Sequence, residues 1–231
     1  MTQSEGHVVL TLIGHRGTPF EFTENTVASL KNAESLGADG IEFDVRLTRD
    51  SVPVLLHDAD LRRLWGRPQL LSEIDYHEVS DFLPTLDEAV RATSTMLVVD
   101  CKGAGTARRA ISVLRDEDAL HRCVFVGPHD ILGEVRAQMP EARLALSWPG
   151  ISTPPPETLE MLRPEMMNLH WHDLEQSSLD WYLRMGFSTW WTYPVDDPAS
   201  LRRASELGFS GVISNDLPAI SAAITTMEEA G

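Results

Sequence analysis

Cysteine, positive charge and long apolar runs are all scarce in this 231-residue sequence. Its two cysteines, Cys101 and Cys123, both lie in apolar stretches and read as buried free thiols, not as a disulfide framework. No run is long enough to cross a bilayer, so stable membrane insertion is not expected. The opening "MTQSEGHVVLTLIGHRG" lacks the basic segment of a secretory signal, and a soluble cytoplasmic protein is the expectation. Nineteen Lys and Arg face 35 Asp and Glu, giving a formal charge of -16. That field argues against nucleic acid and anionic membrane as partners. It would also repel an anionic substrate, unless local cations or a metal reverse the sign at the site. No linker, low-complexity tract or repeat interrupts the chain, so one domain over 1–231 is expected.

What is present is an alternation of short apolar runs with helical patterns. Nine strand candidates occur: 7–13, 40–45, 52–57, 95–101, 122–126, 143–148, 165–171, 187–193 and 209–214. Between them lie segments such as "ENTVASLKNAESLG", "TLDEAVRAT" and "DPASLRRASELG", several opening on a capping residue and closing on Gly. This alternation indicates a parallel sheet covered by helices. Nine is one more than an eight-stranded barrel needs. Only "RLTRDS" separates the second candidate from the third, too little for a crossover helix, so those two must form an antiparallel hairpin. Eight parallel strands remain, which predicts a TIM (β/α)8 barrel. A hairpin turning at Asp50-Ser51 would set Asp44 opposite His57. Glu42 and Asp44 share parity and face the same side of their strand. Residues of about 59–83, after the His57-Asp58 end of the hairpin, are expected to form a small cap beside the mouth.

Charge gathers at the ends of these strands. His15, Arg16 and Gly17 close the first, Glu42 and Asp44 sit in the second, and Asp100 and Lys102 end another. In a barrel these would converge at the C-terminal mouth with His57. Three carboxylates are hard oxygen ligands suited to one divalent cation, Mg²⁺ or Ca²⁺, which would relieve their mutual repulsion. Arg16 and Lys102 fit a phosphate group. Two imidazoles titrating near neutrality are a natural acid/base pair. Together these groups suggest phosphodiester hydrolysis.

"GHRG", "ENT", "IEFDVRLTRDSVPVLLHD", "PTLDEAV" and "VDCKG", followed by "WTYPVDDPASLRRASELGFSGVISN", closely resemble the glycerophosphodiester phosphodiesterases. The resemblance implies a TIM barrel that hydrolyses glycerophosphodiesters to sn-glycerol 3-phosphate and an alcohol. It places Glu42, Asp44 and Asp100 as metal ligands, His15 and His57 as acid/base, and Arg16, Lys102 and Trp191 as substrate contacts. Asp100 stands where the family usually has a glutamate, so the third ligand is one methylene short. Glu24-Asn25 would cap the first helix and support the site from behind. Trp148, Trp171 and Trp191, at strand ends, are candidates for an apolar substrate wall. His7, His77 and His121 read as surface residues, whereas His170 could line the mouth. Two rival readings use the same residues: a lysophospholipase D-like enzyme and a catalytically inactive phosphodiester-binding barrel. The expected partner is a small-molecule phosphodiester, and the sequence does not specify an oligomeric state.

Overall fold

The computed structural model describes residues 10–149 and 152–230; positions 7–9 of the first expected strand, His7 included, lie outside the described residues. In chain order the strands are β1 (Thr11–His15), β2 (Gly40–Leu47), β3 (Pro53–Leu55), β4 (Asp60–Leu61), β5 (Arg67–Leu70), β6 (Met96–Cys101), β7 (Cys123–Gly127), β8 (Leu144–Trp148), β9 (Met166–Leu169), β10 (Trp190–Thr192) and β11 (Gly211–Ser214). β1, β2 and β6 to β11 are parallel neighbours in order, and β1 pairs with both β2 and β11, which closes the eight-stranded barrel the sequence predicts. β3 is the antiparallel extra strand, added outside the ring along β2.

Strand parity divides the apolar residues between two cores. Ile41, Phe43 and Val45 of β2 and Leu97, Val99 and Cys101 of β6 face outward, into the layer shared with the helices. The alternate positions face the barrel axis: Ile13, Val98, Val124, Val126, Ala145, Met166, Trp191 and Ile213 fill the interior. Each large aliphatic or aromatic side chain buried this way contributes about 1.5–3 kcal/mol. Glu42, Asp44 and Asp100 share the inward parity, so the carboxylates stand above an apolar plug. Both cysteines are buried and free, and burial pushes the Cys123 thiol up to about 12.

The helices begin where the sequence supplies oxygen caps. α1 (Val27–Ser35) is capped by Thr26, whose hydroxyl accepts from the Ser29 amide, so the expected capping by Glu24-Asn25 shifts one residue on. α3 (Leu86–Ala92) has a reciprocal Thr85–Glu88 capping box, and Asp197 caps the helix Pro198–Glu206 with Pro in its first turn. Among the described residues, no helix is long and apolar enough to cross a membrane.

The hairpin register differs from expectation by one residue. Val45 pairs with Leu55 and Leu47 with Pro53, and the Leu56 amide donates to the Asp44 carbonyl, so Asp44 opposes Leu56, not His57. The cause is a three-residue loop. Ser51 donates its N–H to the Thr48 carbonyl, Thr48 donates to Val52, and Ser51 takes a left-handed φ of 63°. His57 therefore leaves the ladder just beyond its last pair. β3 is also two-sided: Leu55 packs into the main core, while Val54 and Leu56 join Leu61, Leu71, Ile74, Val79 and Leu83 in a separate small core. That cluster, with the β4–β5 hairpin and the short helix α2 (Arg62–Trp65), is the cap expected near 59–83.

Trp191 is a plug residue, 3% exposed. Its indole occupies the space a side chain on Gly211 would need, because a Cβ there would sit 2.4 Å from Trp191 Cδ1. Gly211→Ala should therefore cost about 1–3 kcal/mol through overpacking and lower the melting temperature by several degrees. Thermal denaturation followed by tryptophan fluorescence checks this, and an unchanged midpoint would refute it.

Candidate active site

The first strand ends in a tight turn whose second position has no room for a side chain. Arg16 and Gly17 both take left-handed φ, 55° and 88°. A Cβ on Gly17 would lie 2.3 Å from Ser29 Oγ and 2.5 Å from the Ser29 carbonyl carbon, so a side chain there would collide with α1. The turn is held by the Arg16 carbonyl, which accepts from the Asn25 amide and the Ser29 hydroxyl, and by the Arg16 N–H, which donates to Glu42 Oε2 at 3.0 Å. Asn25, itself left-handed at 58°, then grips Asp44 twice. Its Nδ2 donates to Asp44 Oδ2 at 2.8 Å, and its Oδ1 accepts from the Asp44 amide at 3.0 Å.

One cavity of about 200 Å³ at the C-terminal mouth is lined by His15, Arg16, Glu42, Asp44, His57, Asp100 and Lys102, with Val126, Ser147, Asn168, Tyr193 and Ile213 completing its wall. Seven of the eight site residues read from the sequence thus meet in one place. Trp191 does not: it lies in the plug, and Tyr193, of the same parity, takes the wall position. Trp148 and Trp171 are not on this wall either. Their indole N–H groups donate to Ser152 and to the Pro194 carbonyl. His170 packs edge-on against Tyr193 beside the cavity and does not line it.

Oxygens of Glu42, Asp44 and Asp100 lie within 4.8 Å of one another. The shorter Asp100 still reaches the cluster because Asp44 and Asp100 are register partners on adjacent strands. Burial, with Asp44 and Asp100 beside it, holds the Glu42 carboxyl well above the usual carboxylate range. Burial likewise pushes Asp100 to about 6, against the pull of Lys102. Burial works the same way on Asp44, but Lys102 and Arg16 outweigh it and its carboxyl falls below the ordinary value. Lys102 Nζ lies 2.6 Å from Asp100 Oδ2 and 3.1 Å from Asp44 Oδ1, and Arg16 Nε lies 3.2 Å from Asp44 Oδ2. Asp100 Oδ1 is buried without a partner. A buried, unpartnered carboxylate oxygen on a residue grouped with two further crowded carboxylates fits a divalent cation.

Both histidines are oriented from behind. Asn215 Nδ2 donates to Asp196 at 2.8 Å, which turns Asn215 Oδ1 toward His15 Nδ1 at 2.7 Å. An amide oxygen only accepts, so Nδ1 carries the hydrogen and Nε2, 3.9 Å from Glu42 Oε2, is left bare. Burial, and then the Arg16 charge, lower the proton affinity of His15. His57 Nδ1 pairs with Asp58 Oδ1 at 2.8 Å. Asp58 in turn accepts from Arg63 of the cap, which also donates to Glu24, and Glu24 accepts from Arg16 at 2.9 Å. Sequence reasoning missed Asp196, Asn215, Arg63, Ser147 and Asn168. Only strand parity, applied to Ser147 and Asn168, could have pointed to any of them.

The profile of the glycerophosphoryl diester phosphodiesterase family matches residues 15–132, just over half of the chain. A glycerophosphodiester phosphodiesterase of Caldanaerobacter subterraneus is 25% identical over 232 residues, covering 89% of this chain and 93% of that protein. The rat lysophospholipase D GDPD1 is 35% identical over 97 residues, 42% of this chain and 29% of its own. A macaque glycerophosphodiester phosphodiesterase domain-containing protein 4 is 43% identical over 81 residues, 33% of this chain and 13% of its own. The chain thus spans under a third of these mammalian relatives. Among solved structures, a phosphodiesterase of Oleispira antarctica in complex with sn-glycerol-3-phosphate superposes with a TM-score of 0.83 at 23% identity, covering 94% of this chain and 97% of that one. A Silicibacter pomeroyi structure gives 0.85 at 18% identity, covering 96% and 95%. At such identities the likeness is one of fold.

If Asn25 holds Asp44 in a ligating pose, Asn25→Ala should weaken binding of Mg²⁺ or Ca²⁺ by about 10- to 100-fold. Calorimetric titration of the folded variant measures this directly, and an unchanged affinity would remove Asn25 from the site.

Proposed function

Because the chain belongs to the glycerophosphoryl diester phosphodiesterase family, we propose that it hydrolyses glycerophosphodiesters to sn-glycerol 3-phosphate and a free alcohol. The observation that carries this reading is the meeting of three carboxylates, two oriented imidazoles and two cations on one cavity. Glu42, Asp44 and Asp100 would hold one divalent ion, Mg²⁺ or Ca²⁺. When bound, that ion neutralises the crowded carboxylates and polarises a phosphoryl oxygen. Arg16 donates Nη1 to Glu24 and holds Nε 3.2 Å from Asp44 Oδ2, with Nη2 as the third nitrogen of its guanidinium. That nitrogen and Lys102 Nζ are the groups suited to the phosphate oxygens. His15, neutral and bare at Nε2, takes the proton of the attacking oxygen, either water's or that of a glycerol hydroxyl whose cyclic phosphate water then opens. His57, protonated on both nitrogens and paired through Nδ1 with the Asp58 carboxylate, donates its Nε2 proton to the leaving alkoxide.

One observation favours a second reading. Phe20 and Phe22, in the loop that follows Gly17, are 65% and 42% exposed, as a lipid-facing rim would be. A lysophospholipase D-like activity would use the same catalytic groups on an acylated glycerol. An inactive phosphodiester-binding barrel would have no use for two imidazoles whose Nδ1 atoms are each held by a dedicated partner.

Purified protein should release glycerol 3-phosphate from glycerophosphocholine or glycerophosphoethanolamine, stop with EDTA and recover with added Mg²⁺ or Ca²⁺. His15→Ala and His57→Ala should each lower kcat by about 10²-fold or more. Full activity in both variants would sink the acid/base assignment, and saturable binding without turnover would leave the binding barrel standing.

A further inference from the structure

Of the two imidazoles at the mouth, His15 belongs to β1, whereas His57 stands off the barrel strands. The hairpin register leaves His57 beyond the last ladder pair, with its side chain 37% exposed. Its backbone is fixed from the barrel, because Arg46 of β2 donates Nε to the His57 carbonyl at 2.8 Å. Its ring is held differently. The group on Nδ1 is Asp58, itself outside the strands and 26% exposed. A ring held by one exposed carboxylate swings with it, and a misplacement of about 1 Å can cost a reaction step about 10²-fold.

Arg63 restrains that carboxylate through a three-point contact. Its Nε donates to Asp58 Oδ2 at 2.6 Å, while Nη1 and Nη2 donate to Glu24 Oε2 and Oε1 at 2.8 and 2.6 Å. The two Asp58 oxygens are thereby divided, Oδ1 to His57 and Oδ2 to Arg63. Both ends of the arginine are anchored. Its backbone belongs to α2, where the neighbouring Leu61, Leu64 and Trp65 pack into the small core of the cap. Glu24, whose side chain is 10% exposed, is pinned in the loop before α1 by Arg16 Nη1 at 2.9 Å. Burial opposes ionisation of Asp58, but Arg63 and then His57 outweigh it and hold the carboxyl below its ordinary value. The carboxylate stays anionic beside the imidazole, which favours the proton-bearing form a general acid needs.

We propose that Arg63 is a positioning residue for proton donation: through Asp58 it holds the His57 ring in line with the leaving oxygen, using Glu24 as its anchor on the barrel. This rests on the phosphodiesterase reading for the role of His57. It brings the cap into the reaction, because the acid is aligned by a side chain that the segment between β4 and β5 carries. The planar fork is essential to the role. A lysine would keep the charge, but one ammonium cannot hold Glu24 bidentately and Asp58 as well.

Alignment of an acid matters only where the leaving group needs a proton. The test therefore compares glycerophosphocholine, whose alkoxide must be protonated, with the p-nitrophenyl diester of sn-glycerol 3-phosphate, whose phenolate leaves unaided. On the metal-supplemented protein, Arg63→Met should lower kcat for glycerophosphocholine by about 10- to 100-fold. For the nitrophenyl diester kcat should stay within about threefold of the wild type. Arg63→Lys should show the same pattern, and it decides the matter if Arg63→Met fails to fold. Asp58→Ala should show it too, and adding Arg63→Met should lower kcat no further, since the arginine acts through the carboxylate. Equal losses on the two substrates, full activity in Arg63→Lys, or additive losses in the double variant would overturn the proposal. Nitrogen-15 NMR of the neutral His57 ring supplies a readout without turnover. The hydrogen should sit on Nδ1 in the wild type and shift toward Nε2 in Arg63→Met or Arg63→Lys; an unchanged ring would overturn the proposal. Hydrolysis of neither diester by the wild type would end the phosphodiesterase reading, while the ring state still judges whether Arg63 positions His57.

Discussion

Three inward-facing carboxylates at one end of a barrel cannot coexist without compensation, and much of the surrounding structure supplies it. Asp44 is the pivot, 1% exposed and touched by Asn25, Arg16 and Lys102. An unpaired carboxylate at that depth would protonate instead of carrying charge. The two cations keep Asp44 ionised, while Glu42 and Asp100, less well answered, are pushed toward their neutral forms. The strained backbone at Arg16 and Asn25 makes sense on the same ground. Left-handed turns at both positions deliver an N–H to Glu42 and an amide to Asp44 that a relaxed loop would not place.

The compensation runs outward as a chain. Asp44 leads through Arg16 to Glu24, then to Arg63 of the cap, Asp58 and His57. Arg63 is nearly half exposed, and pairs of that kind contribute only about 0–1 kcal/mol each to stability. The cap is held instead by its own apolar cluster, built on the outer side of β3. What Arg63 contributes is position. It ties the loop before α1 and the segment after the hairpin to one guanidinium, so that Arg16 and the imidazole of His57 share a reference point. The opposite flank has a counterpart in Asp196 and Asn215, which orient His15.

Local pattern made the barrel and most of the site legible. Parity put Glu42 and Asp44 on one face, strand-end placement in a barrel brought Asp100 to them, and loop length removed β3 from the ring. Two kinds of information were out of reach. The hairpin register depended on whether Ser51 turned left-handed, a one-residue choice that composition does not decide and that moved His57 off Asp44. The orienting partners come from far along the chain, with 200 residues between His15 and Asn215 and 39 between Glu24 and Arg63, and no local rule links them. Trp191 shows the limit of placing residues by strand end. It lies two positions below Tyr193 on the same face, and the space left by Gly211 draws it down into the plug.

The uncharged wall of the mouth, Val126, Ser147, Asn168, Tyr193 and Ile213, follows from the charged one. A further acid on β8 or β9 would add to the repulsion among Glu42, Asp44 and Asp100. A further basic side chain there would pair with those carboxylates and weaken any cation they hold. Groups that leave this balance unaltered are uncharged, and an amide braced by a hydroxyl is one such pair. Asn168 donates to Ser147 with one end, and its carbonyl oxygen at the other is buried without a hydrogen-bond partner. The crowded charge on one side of the barrel mouth thus favours uncharged side chains on the other.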